Sequence, residues 1–181
     1  LAHPIVGTLY EDQSGDLWFG TGYALRGTHA GVGVSQFTRG EFRSWPTRVG
    51  IMSVALDHSG QVWLGTWNGV RRLDNQKIRP FTALPYFTAS IVEDPQQRMW
   101  FGHHGEGASV LAEDRLLRYT TNDGLPVNKV WDVFDDSRGR IWLGASYLDG
   151  AAPSDSIPQI VSLSTDDGLV LGRVNVNAVG G

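Results

Sequence analysis

Two histidines and a glutamate lie close together in the chain, at His103, His104 and Glu106. Imidazole and carboxylate groups bind Zn²⁺ and also transfer protons near neutral pH, so this segment could hold a metal ion or act in acid–base catalysis. Adjacent residues of an extended strand point in opposite directions, however, which keeps His103 and His104 from one ion. We therefore expect a solvated polar loop, with no metal and no cofactor.

Other catalytic signatures are weak or missing. Residues 12–16 read Asp-Gln-Ser-Gly-Asp, like the start of a calcium loop, but the closing glutamate is absent. The chain has no cysteine, which excludes disulfides, thiolate nucleophiles and cysteine-ligated zinc or iron–sulfur clusters. It also lacks a nucleophile elbow, a phosphate-binding loop and a dinucleotide fingerprint. These observations favour a binding function over catalysis.

The composition is that of one folded domain. Of 181 residues, 41% are hydrophobic and 19% are charged. The net charge of −4 disfavours nucleic-acid binding, and no apolar run is long enough for membrane insertion. Because the first residue is Leu1 and no signal peptide is visible, we expect a processed, trimmed or excerpted chain.

A fourfold repeat must position the candidate residues. Its anchor is Trp-x-Gly, with tryptophans spaced by 45, 37 and 42 residues and an Asp six residues before each Trp. We expect the Trp side chains to pack between sheets and the Asp side chains to form turns. The repeated residues are Asp12, Trp18 and Gly20; Asp57, Trp63 and Gly65; Asp94, Trp100 and Gly102; and Asp136, Trp142 and Gly144.

Each repeat predicts four short antiparallel strands. The Asp-x-x-Gly segment between two β-type runs is a hairpin signal, and no window has a helical apolar stripe. Both faces of the Trp strand are apolar, as expected for the blades of a β-propeller. A parallel solenoid is disfavoured by the hairpins. We predict an all-β propeller of four-stranded antiparallel blades, approximately at residues 4–46, 47–84, 85–124 and 125–168, with the first strand of a fifth blade in 169–181.

The fourth repeat, together with the motif that introduces it, resembles a known family. Asp123-Gly124-Leu125, the strand from Val130, the turn after Asp136 and the Trp142 strand are similar to the two-component regulator propeller repeat. Asp167-Gly168-Leu169 repeats the introducing motif. The resemblance implies a sensor propeller of bacterial hybrid two-component systems, with a periplasmic or extracellular location and signalling domains elsewhere.

Both ends of the chain offer the first strand of a blade, so four blades of a larger ring are the preferred interpretation. The remaining blades would come from sequence outside this chain, from another chain, or from a second copy in a homo-oligomer. A closed four-bladed ring is the alternative.

Propeller geometry places the Asp turns on one rim, and the second-to-third loops with the links between blades on the other. The loops differ in length, so we expect the ligand there, and their aromatic and polar side chains suit a glycan or another small molecule. A lyase or hydrolase resembling the streptogramin lyases in architecture, using His103, His104 and Glu106, and a protein-interaction scaffold are the alternatives. The predicted ligand contacts are Tyr23, Arg26, His29, Trp67, Asn68, His103, His104, Glu106, Tyr147 and Asp149.

Overall fold

The computed structural model describes residues 1–22, 31–136 and 138–145, and the backbone of strands in 159–164 and 170–174. These residues form sixteen strands and one 3₁₀ turn, Thr121–Asp123. Within them, no helix is long and apolar enough to cross a membrane.

The strands form four antiparallel sheets, in each of which the strands follow chain order from first to fourth. This meander confirms the predicted propeller blades. Blades 1 and 2 contain β1 Val6–Glu11, β2 Leu17–Thr21, β3 Gly33–Thr38, β4 Glu41–Pro46, β5 Ile51–Leu56, β6 Val62–Thr66, β7 Gly69–Asp74 and β8 Lys77–Pro80. Blades 3 and 4 contain β9 Thr88–Glu93, β10 Met99–His103, β11 Gly107–Ala112, β12 Arg115–Tyr119, β13 Val130–Asp135, β14 Arg140–Ala145, β15 Gln159–Ser164 and β16 Val170–Val174.

The end of blade 4 differs from the prediction. Strand β16 pairs with β15, with Val174 opposite Ile160, so Val170–Val174 is the fourth strand of this blade. The sequence had ended blade 4 at residue 168 and opened a fifth blade at 169. Because β15 begins only at Gln159, blade 4 needs more chain than its repeat suggests. Residues 175–181, assigned to the fifth blade, lie outside the described part.

The chain divides into two compact units, Leu1–Ile91 and Val92–Gly181. In each blade we call the side that carries the repeat Trp the Trp face, and the side that carries its two chain neighbours the reverse face. In the first unit, Trp18 and Trp45 on the Trp face of blade 1 pack with Val54, Val62 and Leu64 on the reverse face of blade 2. The core of this unit therefore lies between two blades.

The second unit repeats this packing. Trp100 and Val110 on the Trp face of blade 3 pack with Val133, Ile141 and Leu143 on the reverse face of blade 4. All five side chains are buried. Alternation along each strand supplies one set of side chains to each face, which is why both faces of these strands are apolar.

The glycine of Trp-x-Gly allows the blades to approach closely. A Cβ at Gly65 would lie 2.7 Å from the carbonyl oxygen of Thr88, at the start of the next blade. A Cβ at Gly102 would lie 3.0 Å from Cγ2 of Val133 in blade 4. In blades 2 and 3 the repeated glycine thus leaves room for the next blade, whereas a Cβ at Gly144 in blade 4 would meet Asp132 of its own blade at 3.4 Å.

Candidate functional site

The second strand of each blade has a turn end, which follows the repeat Asp, and a loop end, which leads to the third strand. At the turn end of blade 1, Oδ1 of Asp12 accepts hydrogen bonds from the backbone amides of Ser14 and Asp16, at 2.9 and 3.0 Å. Its Oδ2 accepts a bond from Trp18 Nε1 at 2.9 Å. One carboxylate therefore closes the turn and fixes the indole.

The same bond recurs in the other three blades. The distances from indole Nε1 to carboxylate Oδ2 are 2.9 Å for Trp63 and Asp57, 2.7 Å for Trp100 and Asp94, and 3.1 Å for Trp142 and Asp136. The Asp residues were predicted to form turns and the Trp residues to pack between sheets, but the hydrogen bond that links them was not predicted. Its signal was the constant spacing of six residues.

Hydrogen bonding also sets the charge of these carboxylates. Burial alone would raise the pKa of Asp136, but bonds from Trp142, the Arg138 amide and Arg140 outweigh it and lower the pKa to about 2. The same balance lowers the pKa of Asp12 and Asp57. These carboxylates are already occupied by donors, so the turn end has a structural role.

The third blade keeps this turn without the usual glycine. Gln97 has a φ of +62° where the other turns have glycine, so a non-glycine residue occupies the left-handed region there. The amides of Gln96 and Arg98 still donate to Asp94 Oδ1, at 3.0 and 2.9 Å. The carboxylate therefore defines the turn more strictly than the glycine does.

At the loop end of blades 1 to 3, a buried polar side chain stands three residues after the repeat Trp, whereas blade 4 has the buried Ala145 there. Thr21 Oγ1 donates to the carbonyl oxygen of Gly33 at 2.9 Å, and Thr66 Oγ1 donates to that of Gly69 at 2.6 Å. His103 takes this position in blade 3, and its Nε2 lies 2.9 Å from Ser109 Oγ. His103 thus ties the base of the loop to the third strand, as the two threonines do.

His103 is consequently not a surface residue. Its side chain is fully buried, and burial together with the positive charge of Arg118 lowers its pKa to about 4. The imidazole is neutral at pH 7. His103 was predicted to lie in the loop, among the ligand contacts and as a catalytic candidate, but it lies beneath that loop, at the end of β10.

The other two members of the predicted triad point elsewhere. His104 forms a backbone bridge with Lys129, and its ring meets the edge of Trp131 with centroids 4.7 Å apart. Glu106 accepts a 2.9 Å bond from Arg118 Nη1 in an exposed ion pair. In the part of the chain that the structure describes, no three His, Asp or Glu side chains are grouped to hold a metal ion.

The corresponding loop of blade 2 presents Trp67 and Asn68. The Trp67 ring is half-buried and packs on Phe87, with centroids 4.2 Å apart. Asn68 is exposed, its backbone N–H donates to Thr66 Oγ1 at 3.3 Å, and its side-chain Oδ1 accepts from Arg71 at 3.4 Å. An aromatic pair therefore stands beside an exposed amide.

Each of these loops lies against the link to the next blade, as the propeller geometry predicts. The amide of Val70 donates to the carbonyl oxygen of Leu84 at 2.9 Å, and the amides of Gly105 and Gly107 donate to that of Asn128 at 2.9 and 2.8 Å. Trp67 and His104 hold the same place, four residues after the repeat Trp. Each pairs with an aromatic residue of the following segment.

Those two partners, Phe87 and Trp131, were not predicted, because only the packing of the loop against the link between blades brings them to this surface. The remaining predicted contacts lie outside the described residues. They are Tyr23, Arg26, His29, Tyr147 and Asp149.

Residues 1–23 and 124–147 match the family model of the two-component regulator propeller. In these two segments the chain resembles that repeat. Both matched segments span the Asp turn and the Trp strand, in blades 1 and 4. Among curated protein sequences, no relative of the chain was found.

Solved structures share the fold at low sequence identity. The extracellular domain of a hybrid two-component system from B. thetaiotaomicron matches with a TM-score of 0.72 and 19% identity, over 96% of this chain and 23% of that one. A virginiamycin B lyase from Staphylococcus aureus matches with a TM-score of 0.67 and 14% identity, over 94% of this chain and 55% of that one. This chain thus spans less than a quarter of the first neighbour.

Proposed function

We propose that the chain is part of a non-enzymatic sensor propeller, located outside the cytoplasm, that binds a small ligand of the glycan class at its loop ends. The regulator-propeller repeat and the fold shared with an extracellular domain of a two-component system support the sensor role. A shared fold does not determine function, so the ligand class is argued from the side chains at the loop ends.

The observation that carries the proposal is the aromatic pair at the loop end of each of two blades. Trp131 is 37% exposed beside His104, and Trp67 is half-buried beside Phe87. Aromatic rings offer rigid apolar area to the C–H faces of a sugar, while neighbouring amide and charged groups can orient its hydroxyls. Asn68 and the Glu106–Arg118 pair supply such groups.

The same geometry disfavours catalysis by His103, His104 and Glu106. A general acid or base has to reach the reacting group, and His103 is buried and bonded to Ser109. His104 packs on Trp131 and Glu106 pairs with Arg118, so the three groups do not converge.

A glycan panel followed by calorimetric titration of the hits tests the proposal. We expect Trp131→Ala or Trp67→Ala to weaken binding by roughly tenfold or more, as removal of a central aromatic contact does. Leu117→Ala removes an exposed apolar side chain from the fourth strand of blade 3 and serves as the matched control.

Three results would contradict the proposal. The first is that neither Trp variant changes the affinity for any glycan that binds. The second is that Glu106→Gln abolishes turnover of a small molecule while the protein stays folded. The third is that only a protein partner, and no small molecule, binds. The second result would support the lyase alternative, and the third the scaffold.

A further inference from the structure

The reverse face of blade 1 carries a group of large apolar side chains, with the exposed Glu11 opposite Leu17 and the buried Ser35 opposite Phe19 on the same face. Strand register places Leu9 opposite Phe19 and Phe37 opposite both Leu17 and Phe42. The ring of Phe42 lies 5.8 Å from that of Phe19 and 4.8 Å from that of Phe37, between centroids. Five large side chains thus share one side of the sheet.

This surface is much more exposed than the same surface of later blades. Leu9 is 60% exposed, whereas Val54 and Val133, which hold its position three residues before the repeat Asp, are 4% and 5% exposed. Phe42, on the fourth strand of this face, is 48% exposed. In blades 2 and 4 the reverse face is covered by the Trp face of the blade before it.

The chain also carries a Trp face that is exposed. On blade 4, Phe134 lies opposite Trp142 and is 61% exposed. Its counterparts two residues before the repeat Asp, Tyr10 in blade 1 and Val92 in blade 3, both pack against a core cluster. Within each unit, the Trp face of one blade packs on the reverse face of the next blade. One chain therefore exposes both kinds of face, a reverse face on blade 1 and a Trp face on blade 4.

We infer that the reverse face of blade 1 binds the Trp face of blade 4 from a second copy of this chain, with Phe134 and Trp142 seated on Leu9, Phe19 and Phe42. This contact continues the established blade-to-blade packing, and it joins two different surfaces head to tail. Exposed apolar side chains that lie together on one sheet face are typical of a surface that binds a partner. The inference does not depend on the proposed ligand.

Solution mass and a complementation experiment test the contact. We expect the full chain to show, by sedimentation equilibrium, a mass of at least twice 19.8 kDa that falls on dilution. Phe42→Asp or Phe134→Asp should each raise the dissociation constant by at least about tenfold, because a carboxylate would be buried against apolar groups. Both positions are exposed in the single chain, so circular dichroism should show unchanged strand content.

Mixing the two variants gives the sharpest readout. The Phe42→Asp chain retains the Trp face of blade 4, and the Phe134→Asp chain retains the reverse face of blade 1, so the mixture should form a one-to-one complex. Leu117→Asp, at a residue 44% exposed on blade 3, is the matched control and should associate normally. A folded wild-type chain that remains at 19.8 kDa at all concentrations, or variants that associate as wild type does, would overturn the inference.

Discussion

The turn end and the loop end of the second strand satisfy their polar groups in different ways. At the turn end, all four blades use the same acceptor and the same donor, an Asp and a Trp six residues apart. At the loop end, the buried side chain at the equivalent position is Thr21, Thr66, His103 or Ala145. The two threonines donate to a glycine carbonyl oxygen, and His103 bonds to the hydroxyl of Ser109. The turn end uses one pair of residue types in all four blades, whereas the loop end requires only that a buried polar group, where one is present, be paired. Sequence variation is therefore tolerated at the loop end, where we propose that the ligand binds.

The largest effect should come from removing a tryptophan at the turn end. Trp100 is buried and bonded to Asp94, so Trp100→Ala should cost about 3–5 kcal/mol in the free energy of unfolding. Urea denaturation followed by far-UV circular dichroism measures this loss. Trp142 is only half-buried, and Trp142→Ala should cost less. Equal losses at the two positions would show that burial does not set the contribution of the repeat Trp.

Acid should weaken the loop end of blade 3 through His103. Its pKa is about 4 in the folded chain and 6.5 without burial, so the unfolded chain binds more protons between these values. The contribution of the neutral His103 to the free energy of unfolding is fully present above pH 6.5. It is lost as the pH falls to about 4, and the loss is roughly 3 kcal/mol at most.

Denaturation at pH 7 and pH 4.5 measures this loss, with His103→Thr as the control, since threonine holds the same position in blades 1 and 2. The variant should show a smaller drop than the wild type. An equal drop in both proteins would remove His103 as the cause.

Weakening the acceptor at the turn end should have a somewhat smaller effect. Asp94→Asn removes a buried negative charge that accepts bonds from Trp100 and Arg98, and should cost about 1.5–3 kcal/mol. Asp114→Asn, at an exposed position between β11 and β12, is the control and should leave the midpoint of urea denaturation unchanged. If Asp94→Asn left the free energy of unfolding unchanged, the repeated carboxylates would not be needed for stability.

The smallest effect is expected at the surface of the loop end. Glu106 and Arg118 form an exposed pair, so Glu106→Gln should change the free energy of unfolding by less than about 1 kcal/mol. The same urea assay at low and high salt measures it. A larger loss would mean that the loop is held by this pair, and the contrast with the turn end would weaken.

The sequence predicted the blades well because their signals are periodic. Alternation along each strand and the hairpin after each Asp indicated β1 to β14 with small errors at the strand ends. The end of blade 4 was predicted at residue 168 because Asp167-Gly168-Leu169 repeats the motif that introduces a blade, whereas the fourth strand of blade 4 follows that motif. Only the pairing of β15 with β16 makes that assignment.

The candidate site was predicted less well. The histidine segment was found by composition, but its interpretation as a loop failed for His103, which occupies the buried position that threonine holds elsewhere. Phe87 and Trp131 were missed, because neither carries a motif and each becomes part of a surface only by packing on a loop.

By itself, the sequence determined the repeat, the strand alternation and the Asp turn. These depend on residues within about one hairpin of each other, so local chemistry is enough to specify them. The tertiary structure decided which polar side chains are buried, which aromatic residues meet at the loop end and which blade faces are covered. Those outcomes depend on contacts between distant segments, such as His104 with Trp131 and Trp18 with Val54, and only the folded chain brings such residues together.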